Sequence, residues 1–210
     1  MKKLAIFGGT GMTGICVVQE ALAMGHTVKL LLRNPSNLPS EYHNKVEIIK
    51  GNVINAEDVS KTIENVDAVI VALGTRNNLE PTTEMSRGLE NIVKSMKANN
   101  IKPISVCLSA FLFYEPGKVP PMFKNINEEH ERMLNIIKSS GLDYVAVFPP
   151  HIADNPKTEY RVKYGASPGG RVISKYELAN FLVTSLDNSE HFGKIVGICS
   201  VSSLPKEDSK

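Results

Sequence analysis

LAIFGGTGMTG, residues 4–14, joins a short apolar run to three spaced glycines, Gly8, Gly11 and Gly14. The apolar run predicts a buried β-strand, and the chain after the third glycine predicts a helix from residue 15. In such a turn the first glycine permits a sharp bend, the second lets the backbone approach an anion, and the third lets the helix pack closely on the strand. Because a helix N-terminus offers free N–H groups and the positive end of its dipole, the stretch predicts a phosphate-binding loop. The alternative is a turn that uses glycine for geometry only.

The second apolar run, residues 28–32, ends at Arg33. At this position of a dinucleotide-binding unit, an acid bonds the ribose hydroxyls of NAD and a base accommodates the 2′-phosphate of NADP. Arg33, followed by Ser36 and Asn37, therefore predicts NADPH or NADP as the cofactor, because a guanidinium binds phosphate bidentately. No carboxylate occurs between residues 28 and 40 to repel that phosphate. The alternative is a solvated surface arginine.

Predicted strands alternate with predicted helices along the whole chain, which is typical of a single α/β domain with a doubly wound parallel sheet flanked by helices, the Rossmann fold. We expect this domain to span residues 1–201 and to be followed by a flexible polar tail, residues 202–210. Asn55 and Asn127 are expected to cap helices, and Ser174 with Glu177 to form a capping box.

Composition excludes several classes of function. The 210 residues are 42% hydrophobic and carry a formal net charge of +2, and no basic block predicts nucleic-acid binding. No apolar stretch is long enough to span a membrane. Cys16, Cys107 and Cys199 lack metal-site spacing and are typical of a reduced, cytoplasmic protein. We therefore expect no metal, and we expect a monomer.

Candidate chemistry follows the later strands, since ligands bind such sheets at the carboxyl ends of the strands. Ser109 comes directly after a predicted strand, where dehydrogenases of this shape often place a serine facing the nicotinamide. His151 follows the next strand and can donate, accept or act as an acid near neutrality. The alternative for His151 is a loop residue that packs against the cofactor. His130 lies among charges and is expected on a helix surface, and Cys107 in the core.

Two further patterns lie between residues 111 and 122. Phe111, Phe113 and Met122 can form an apolar wall beside the nicotinamide, or pack as ordinary core. Tyr114 and Lys118 match the Tyr-x-x-x-Lys pair of short-chain dehydrogenases. That pair requires one helix face, and the intervening residues Pro and Gly disfavour a helix. We interpret the match as chance, so alcohol dehydrogenation by a Tyr–Lys pair is not expected.

Longer stretches together resemble one family, the NADPH-dependent flavin reductases, also called the biliverdin-IXβ reductase family, which are atypical short-chain dehydrogenases. The likeness reaches to about residue 190. It rests on the Arg33 segment and on residues 8–14 (GGTGMTG), 73–86 (LGTRNNLEPTTEMS), 108–113 (LSAFLF), 118–121 (KVPP), 144–152 (YVAVFPPHI) and 171–175 (RVISK).

The resemblance implies hydride transfer from NADPH to a small planar acceptor, either a free flavin (FMN, FAD or riboflavin) or a biliverdin-type linear tetrapyrrole. It places Ser109 and His151 at the two active-site positions. Asn37 stands where the family has a second arginine and Asn52 where it has an aspartate, so a weaker hold on NADP is expected. The complete expected cofactor site is Gly8, Thr10, Gly11, Met12, Thr13, Gly14, Arg33, Ser36, Asn37, Asn52, Val53, Leu73, Gly74, Arg76, Met85, Cys107, Leu108, His130, His151 and Ile152.

Two other functions stay open at this point. A binding module that senses NADP(H) without turning it over would also lack the Tyr–Lys helix. A sugar or steroid oxidoreductase of the same fold would use Tyr114 and Lys118.

Overall fold

The computed structural model describes residues 1–205, apart from the side chain of Pro116. The strands are β1 (Lys3–Phe7), β2 (Thr27–Leu32), β3 (Glu47–Lys50), β4 (Ala68–Val71), β5 (Pro103–Cys107), β6 (Asp143–Phe148), β7 (His151–Ala153), β8 (Tyr160–Tyr164), β9 (Val172–Ser174) and β10 (Lys194–Ser200). The helices are α1 (Met12–Ala23), α2 (Ala56–Ile63), α3 (Glu84–Ala98), α4 (Lys124–Lys138) and α5 (Lys175–Thr184).

The main sheet has eight strands in the order β3-β2-β1-β4-β5-β6-β10-β8. Its first seven strands pair in parallel, and β1 lies centrally, with Leu4 opposite Val28 on one side and Ala68 on the other. The order reverses between β1 and β4, which opens a crevice at the carboxyl edge. This topology confirms the doubly wound α/β fold.

Two details of the sheet differ from the expectation. β8 runs antiparallel to β10, so the sheet is not parallel throughout. β7 and β9 form a separate parallel pair. Strands of three residues carry too little pattern to be read from a sequence.

The apolar core has two layers, one on each face of the sheet. Successive residues of β1 alternate between them, because side chains along a strand point to opposite faces. Leu4 and Ile6 pack in the layer that contains α1 and α5. Ala5 and Phe7 pack in the layer that contains α2, α3 and α4. A sheet covered on both faces explains why its central strands are continuously apolar.

Helix starts follow the sequence in part. The Asn55 side chain accepts from the N–H groups of Glu57 and Asp58, which confirms the cap of α2. The capping box of Ser174 and Glu177 is also confirmed. The cap predicted at Asn127 is wrong, because a 3₁₀ turn at residues 121–123 runs directly into α4 and places Asn127 inside its first turn.

The chain beyond β10 begins as a 3₁₀ turn, Val201–Ser203. The Ser203 hydroxyl donates to the carbonyls of Val172 and Ser200, at 3.0 and 2.8 Å. The first part of the expected tail is therefore bonded to the domain, and residues 206–210 lie outside the described residues. Among the described helices, none combines the length and apolarity needed to cross a bilayer.

Candidate functional site

A cleft of about 720 Å³ lies at the carboxyl edge of the sheet, where the strand order reverses. The turn after β1, the segments after β2, β3, β4, β5 and β6, and the beginnings of α3 and α4 form its walls. All the predicted site residues except Gly14 and Ser36 line this cleft. The topology therefore assembles at one edge residues that are distant in the sequence.

The glycine turn has the geometry that a pyrophosphate requires. Gly8 has a φ of +91°, and a Cβ there would collide with the backbone of Ala72. A Cβ at Gly14 would collide with the backbone of Gly8, so Gly14 serves the close packing of α1 on β1. α1 begins at Met12, three residues earlier than predicted, with no side-chain cap and no acid in its first turn. Its N-terminal N–H groups are therefore suited to a negatively charged ligand.

Arg33 lies at the far end of the cleft, together with Asn34 and Asn37. The N–H and hydroxyl of Ser36 both donate to the Asn34 side chain, at 3.2 and 2.8 Å, so Ser36 faces that amide. The Nη1 atom of Arg33 lies 3.7 Å from the Oε2 atom of Glu84, the first residue of α3. Residues 28–40 contain no carboxylate, but the fold brings one to Arg33 from a distant part of the chain.

Arg76 crosses the cleft between the loops that follow β4 and β1. Its Nη2 atom donates to the Thr10 hydroxyl over 3.3 Å. Arg76 and Asn77 have φ values of +54° and +66°, in the left-handed region that residues other than glycine seldom occupy. Strained backbone of this kind concentrates at ligand sites.

Ser109 and His151 stand after the adjacent strands β5 and β6, as predicted. The Ser109 Oγ atom accepts from the N–H of Phe111, at 3.2 Å, and so caps a 3₁₀ turn. The two loops are tied by a bond from the Ala110 N–H to the Pro149 carbonyl, at 2.9 Å. His151 is exposed and lines the cleft. Both residues therefore line the same cleft from neighbouring loops.

His130 and Cys107 also line the cleft. His130, predicted on a helix surface, is half-buried on α4 and lines the cleft, and its Nδ1 atom is buried without a hydrogen-bond partner among residues 1–205. Burial lowers the pKa of His130 to about 4, against an opposing effect of Glu129, so the ring is neutral near pH 7. Burial raises the pKa of Cys107 to about 12, which keeps its thiol protonated and unreactive.

Two aromatic rings form an apolar wall of the cleft. Phe111 and Phe123 stack with their centroids 5.1 Å apart and their planes 28° apart. Phe113, predicted for the same wall, packs on Phe148 in the core. Tyr114 meets Phe111 edge-on at 5.5 Å.

The Tyr–Lys pair does not occur on a helix. Tyr114 follows one 3₁₀ turn and Lys118 ends the next. This confirms the interpretation that the sequence match arose by chance.

Some cleft residues were missed by the sequence prediction. Asn34 and Asn77 sit beside predicted residues, and the turn signals after β2 and β4 could have identified them. Glu84 and Asn127 come from α3 and α4, and neither position is marked by a motif. Other missed residues are Phe7, Leu31, Leu32, Gly51, Ala72, Thr75, Leu79, Phe123, Ile126, Pro149 and Pro150.

Comparison with known proteins identifies the family. Residues 8–189 match the NAD(P)H-binding family. The photosystem II assembly factor Ycf39 of Synechocystis is 31% identical over 145 residues, which cover 68% of this chain and 42% of that protein. An isoflavone reductase homolog, A622-like, from Nicotiana tabacum is 22% identical over 214 residues, which cover 91% of this chain and 66% of that protein. The chain thus spans between two fifths and two thirds of the length of these relatives.

A solved structure confirms the fold. A short-chain dehydrogenase/reductase of the wide type from Veillonella parvula, in complex with NADP, superposes with a TM-score of 0.78 at 17% identity and covers 100% of both chains. At this identity the likeness shows the fold alone. The family match shows NAD(P)H binding, and the glycine turn that lines the cleft has the backbone geometry that a pyrophosphate requires.

Proposed function

The chain belongs to the NAD(P)H-binding family, and we propose that it is an NADPH-dependent reductase of planar, electron-poor ring systems, such as free flavins and biliverdin-type tetrapyrroles. The observation that carries this proposal is the pair of stacked rings, Phe111 and Phe123, in the same cleft as Ser109. The resemblance to flavin reductases, which extends over most of the chain, also supports it.

The aromatic wall favours a flat acceptor. Aromatic systems prefer offset stacking, with centroids roughly 4.5–7 Å apart. An acceptor with an extended ring system gains this contact with Phe111 or Phe123, whereas a sugar hydroxyl finds little to bond there. Phe111 lies two residues from Ser109, so an acceptor stacked on this wall remains near the carboxyl ends of β5 and β6.

The other walls suit the cofactor. The glycine turn would hold the pyrophosphate, and Arg33 with Asn37 would hold the 2′-phosphate. Ser109 and His151 would flank the nicotinamide, which supplies the hydride when the cofactor is bound.

Protonation of the reduced acceptor requires little help from the protein, and the cleft residues are consistent with this. A reduced flavin or tetrapyrrole is a delocalised anion that water can protonate. The neutral His130 ring and the protonated Cys107 thiol are poor acids near pH 7. Ser109 would orient the acceptor or the nicotinamide by hydrogen bonding, and His151 would close the pocket and assist the proton. No helical Tyr–Lys pair is required.

The likeness to an assembly factor favours a second candidate. A chain related to Ycf39 could bind NADP(H) without turnover and act through a partner. This candidate predicts cofactor binding and no steady oxidation of NADPH with any acceptor.

The deciding experiment is NADPH oxidation followed by absorbance, with flavins, biliverdin isomers, quinones and sugars as acceptors. Turnover with flavins or biliverdin supports the reductase. Turnover with sugars alone contradicts it, and tight NADPH binding without turnover identifies the binding module. A flavin blank without protein measures the uncatalysed reaction.

A further inference from the structure

The corner of the cleft that selects the cofactor contains a cation and an acid from opposite walls. Arg33 follows β2, and Glu84 begins α3. Their side chains are each 61% exposed, both line the cleft, and 3.7 Å separates Nη1 from Oε2. At this exposure the pair contributes little to stability. Its importance is the charge that it presents to a ligand.

The backbone of Glu84 is held in place by neighbouring contacts. Its N–H donates to the Thr82 hydroxyl at 3.1 Å. Two residues further, the Ser86 N–H and hydroxyl donate to the buried carboxylate of Glu129, at 2.7 and 2.9 Å. These contacts fix the backbone position from which the Glu84 side chain reaches Arg33.

The two charges favour different nucleotides. A 2′-phosphate bound to Arg33 comes within a few ångströms of a second negative charge, which repels it. A ribose 2′-hydroxyl, by contrast, can donate to a carboxylate, as it does to the acid that ends the second strand in NAD-binding sites. In this chain a base, Arg33, follows the second strand, and the acid comes from α3.

We propose that Glu84 is a specificity-determining residue that opposes the 2′-phosphate and supports the 2′-hydroxyl, so that the site accepts NADH as well as NADPH. The inference rests on the cofactor half of the proposed function and is independent of the acceptor. Asn37, which carries no charge, leaves Arg33 as the cation that Glu84 must counter in this corner.

Titration calorimetry with NADP⁺ and NAD⁺ tests the proposal without turnover. Glu84→Gln should strengthen NADP⁺ binding about threefold to tenfold, and weaken NAD⁺ binding by no more than about threefold. The gain for NADP⁺ should shrink as salt is added, because exposed charges are screened. Glu90→Gln is the matched control, since Glu90 is an exposed glutamate of the same helix outside the cleft lining. It should leave both affinities unchanged.

An unchanged ratio of the two affinities in Glu84→Gln, or a change equal to that of Glu90→Gln, overturns the proposal. Because the titrations contain no acceptor, that result leaves the reductase assignment standing. Conversely, absence of flavin turnover would overturn the reductase assignment and leave the ratio of the NADP⁺ and NAD⁺ affinities as a valid test of Glu84. Failure of the wild-type protein to bind either nucleotide overturns both.

Discussion

The carboxylate of Glu129, on α4, caps α3 by accepting from the N–H and the hydroxyl of Ser86. The residue before α3, Thr83, provides no side-chain cap of its own. Arg132 completes the network by donating to Glu129 at 2.9 Å and to the Thr82 carbonyl at 2.9 Å. A single buried side chain thus fixes the helix start that carries Glu84 into the cleft.

Glu129→Ala should lower the free energy of unfolding by roughly 2–4 kcal/mol, because it leaves the buried N–H of Ser86 without an acceptor and Arg132 without its carboxylate partner. Urea unfolding measures this. The control is Glu128→Ala, which removes an exposed neighbour and should change stability by less than about 0.5 kcal/mol. Equal effects of the two substitutions would show that the network does not stabilise the fold.

Stability should fall as the pH is lowered from about 6.5 to about 4, partly through His130. The unfolded chain protonates this histidine at its ordinary pKa of 6.5, and the folded protein only near 4, so the unfolded state binds more protons in this window. The loss reaches at most about 3 kcal/mol at the acid end. His130→Gln should remove this loss of stability. The carboxylates contribute equally in both proteins, so the difference between their stability curves reports His130 alone. Parallel stability curves would contradict the assignment.

Arg33→Ala should weaken NADPH binding about tenfold or more, the loss of a charge-assisted phosphate contact, and leave NADH binding nearly unchanged. The effect should lie at the lower end of the range for such contacts, because Glu84 already weakens the hold of Arg33 on the phosphate and Asn37 adds no charge. Fluorescence titration with both cofactors checks this, with the exposed Arg87→Ala as the control. If both cofactors weaken equally, Arg33 has a structural role.

Ser109→Ala and His151→Ala should each lower flavin turnover by less than about a hundredfold, the lower end of the contribution of a positioned general acid. The physical reason is that the reduced acceptor is a stabilised anion. Steady-state kinetics between about pH 5.5 and 8.5 provide the measurement. A loss beyond about a thousandfold in His151→Ala, with a changed pH profile, would make His151 the obligatory acid.

Phe123→Ala should raise the KM for flavin and leave the Kd for NADPH unchanged, since one ring of the stacked pair is lost. The expected increase is about threefold to tenfold, the value of one aromatic contact. The adjacent Met122→Ala is the control, because Met122 is 62% exposed. Equal KM values in the two variants would show that the acceptor does not stack on this wall.

The central fold could be predicted because its signals are local. The apolar runs of β1 and β2, the latter interrupted by Lys29, predict a sheet covered on both faces. The capping residues Asn55 and Ser174 mark helix starts by bonds to groups two or three positions away. The glycine spacing of residues 8–14 likewise marks, at its first and last glycine, positions where the backbone leaves no room for a Cβ atom. These patterns depend little on the rest of the molecule.

The remaining features depend on contacts between distant segments. Glu84 approaches Arg33 across the cleft, and the buried position of Glu129 is set by Ser86 and Arg132. In sequence, Glu129 and His130 look like surface residues, because NINEEHERM carries charges on every side. Asn127 has the chemistry of a cap, but the preceding turn had already started the helix.

The arrangement of α1 and α5 has a consequence for synthesis on the ribosome. The buried residues of α1 share their core layer with α5, and Asn180 donates to Glu20 at 2.6 Å. About 150 residues separate the end of α1 from the start of α5. At typical elongation rates that interval lasts on the order of 10–30 s. Throughout it the apolar residues of α1 lack the α5 surface that covers them in the folded domain.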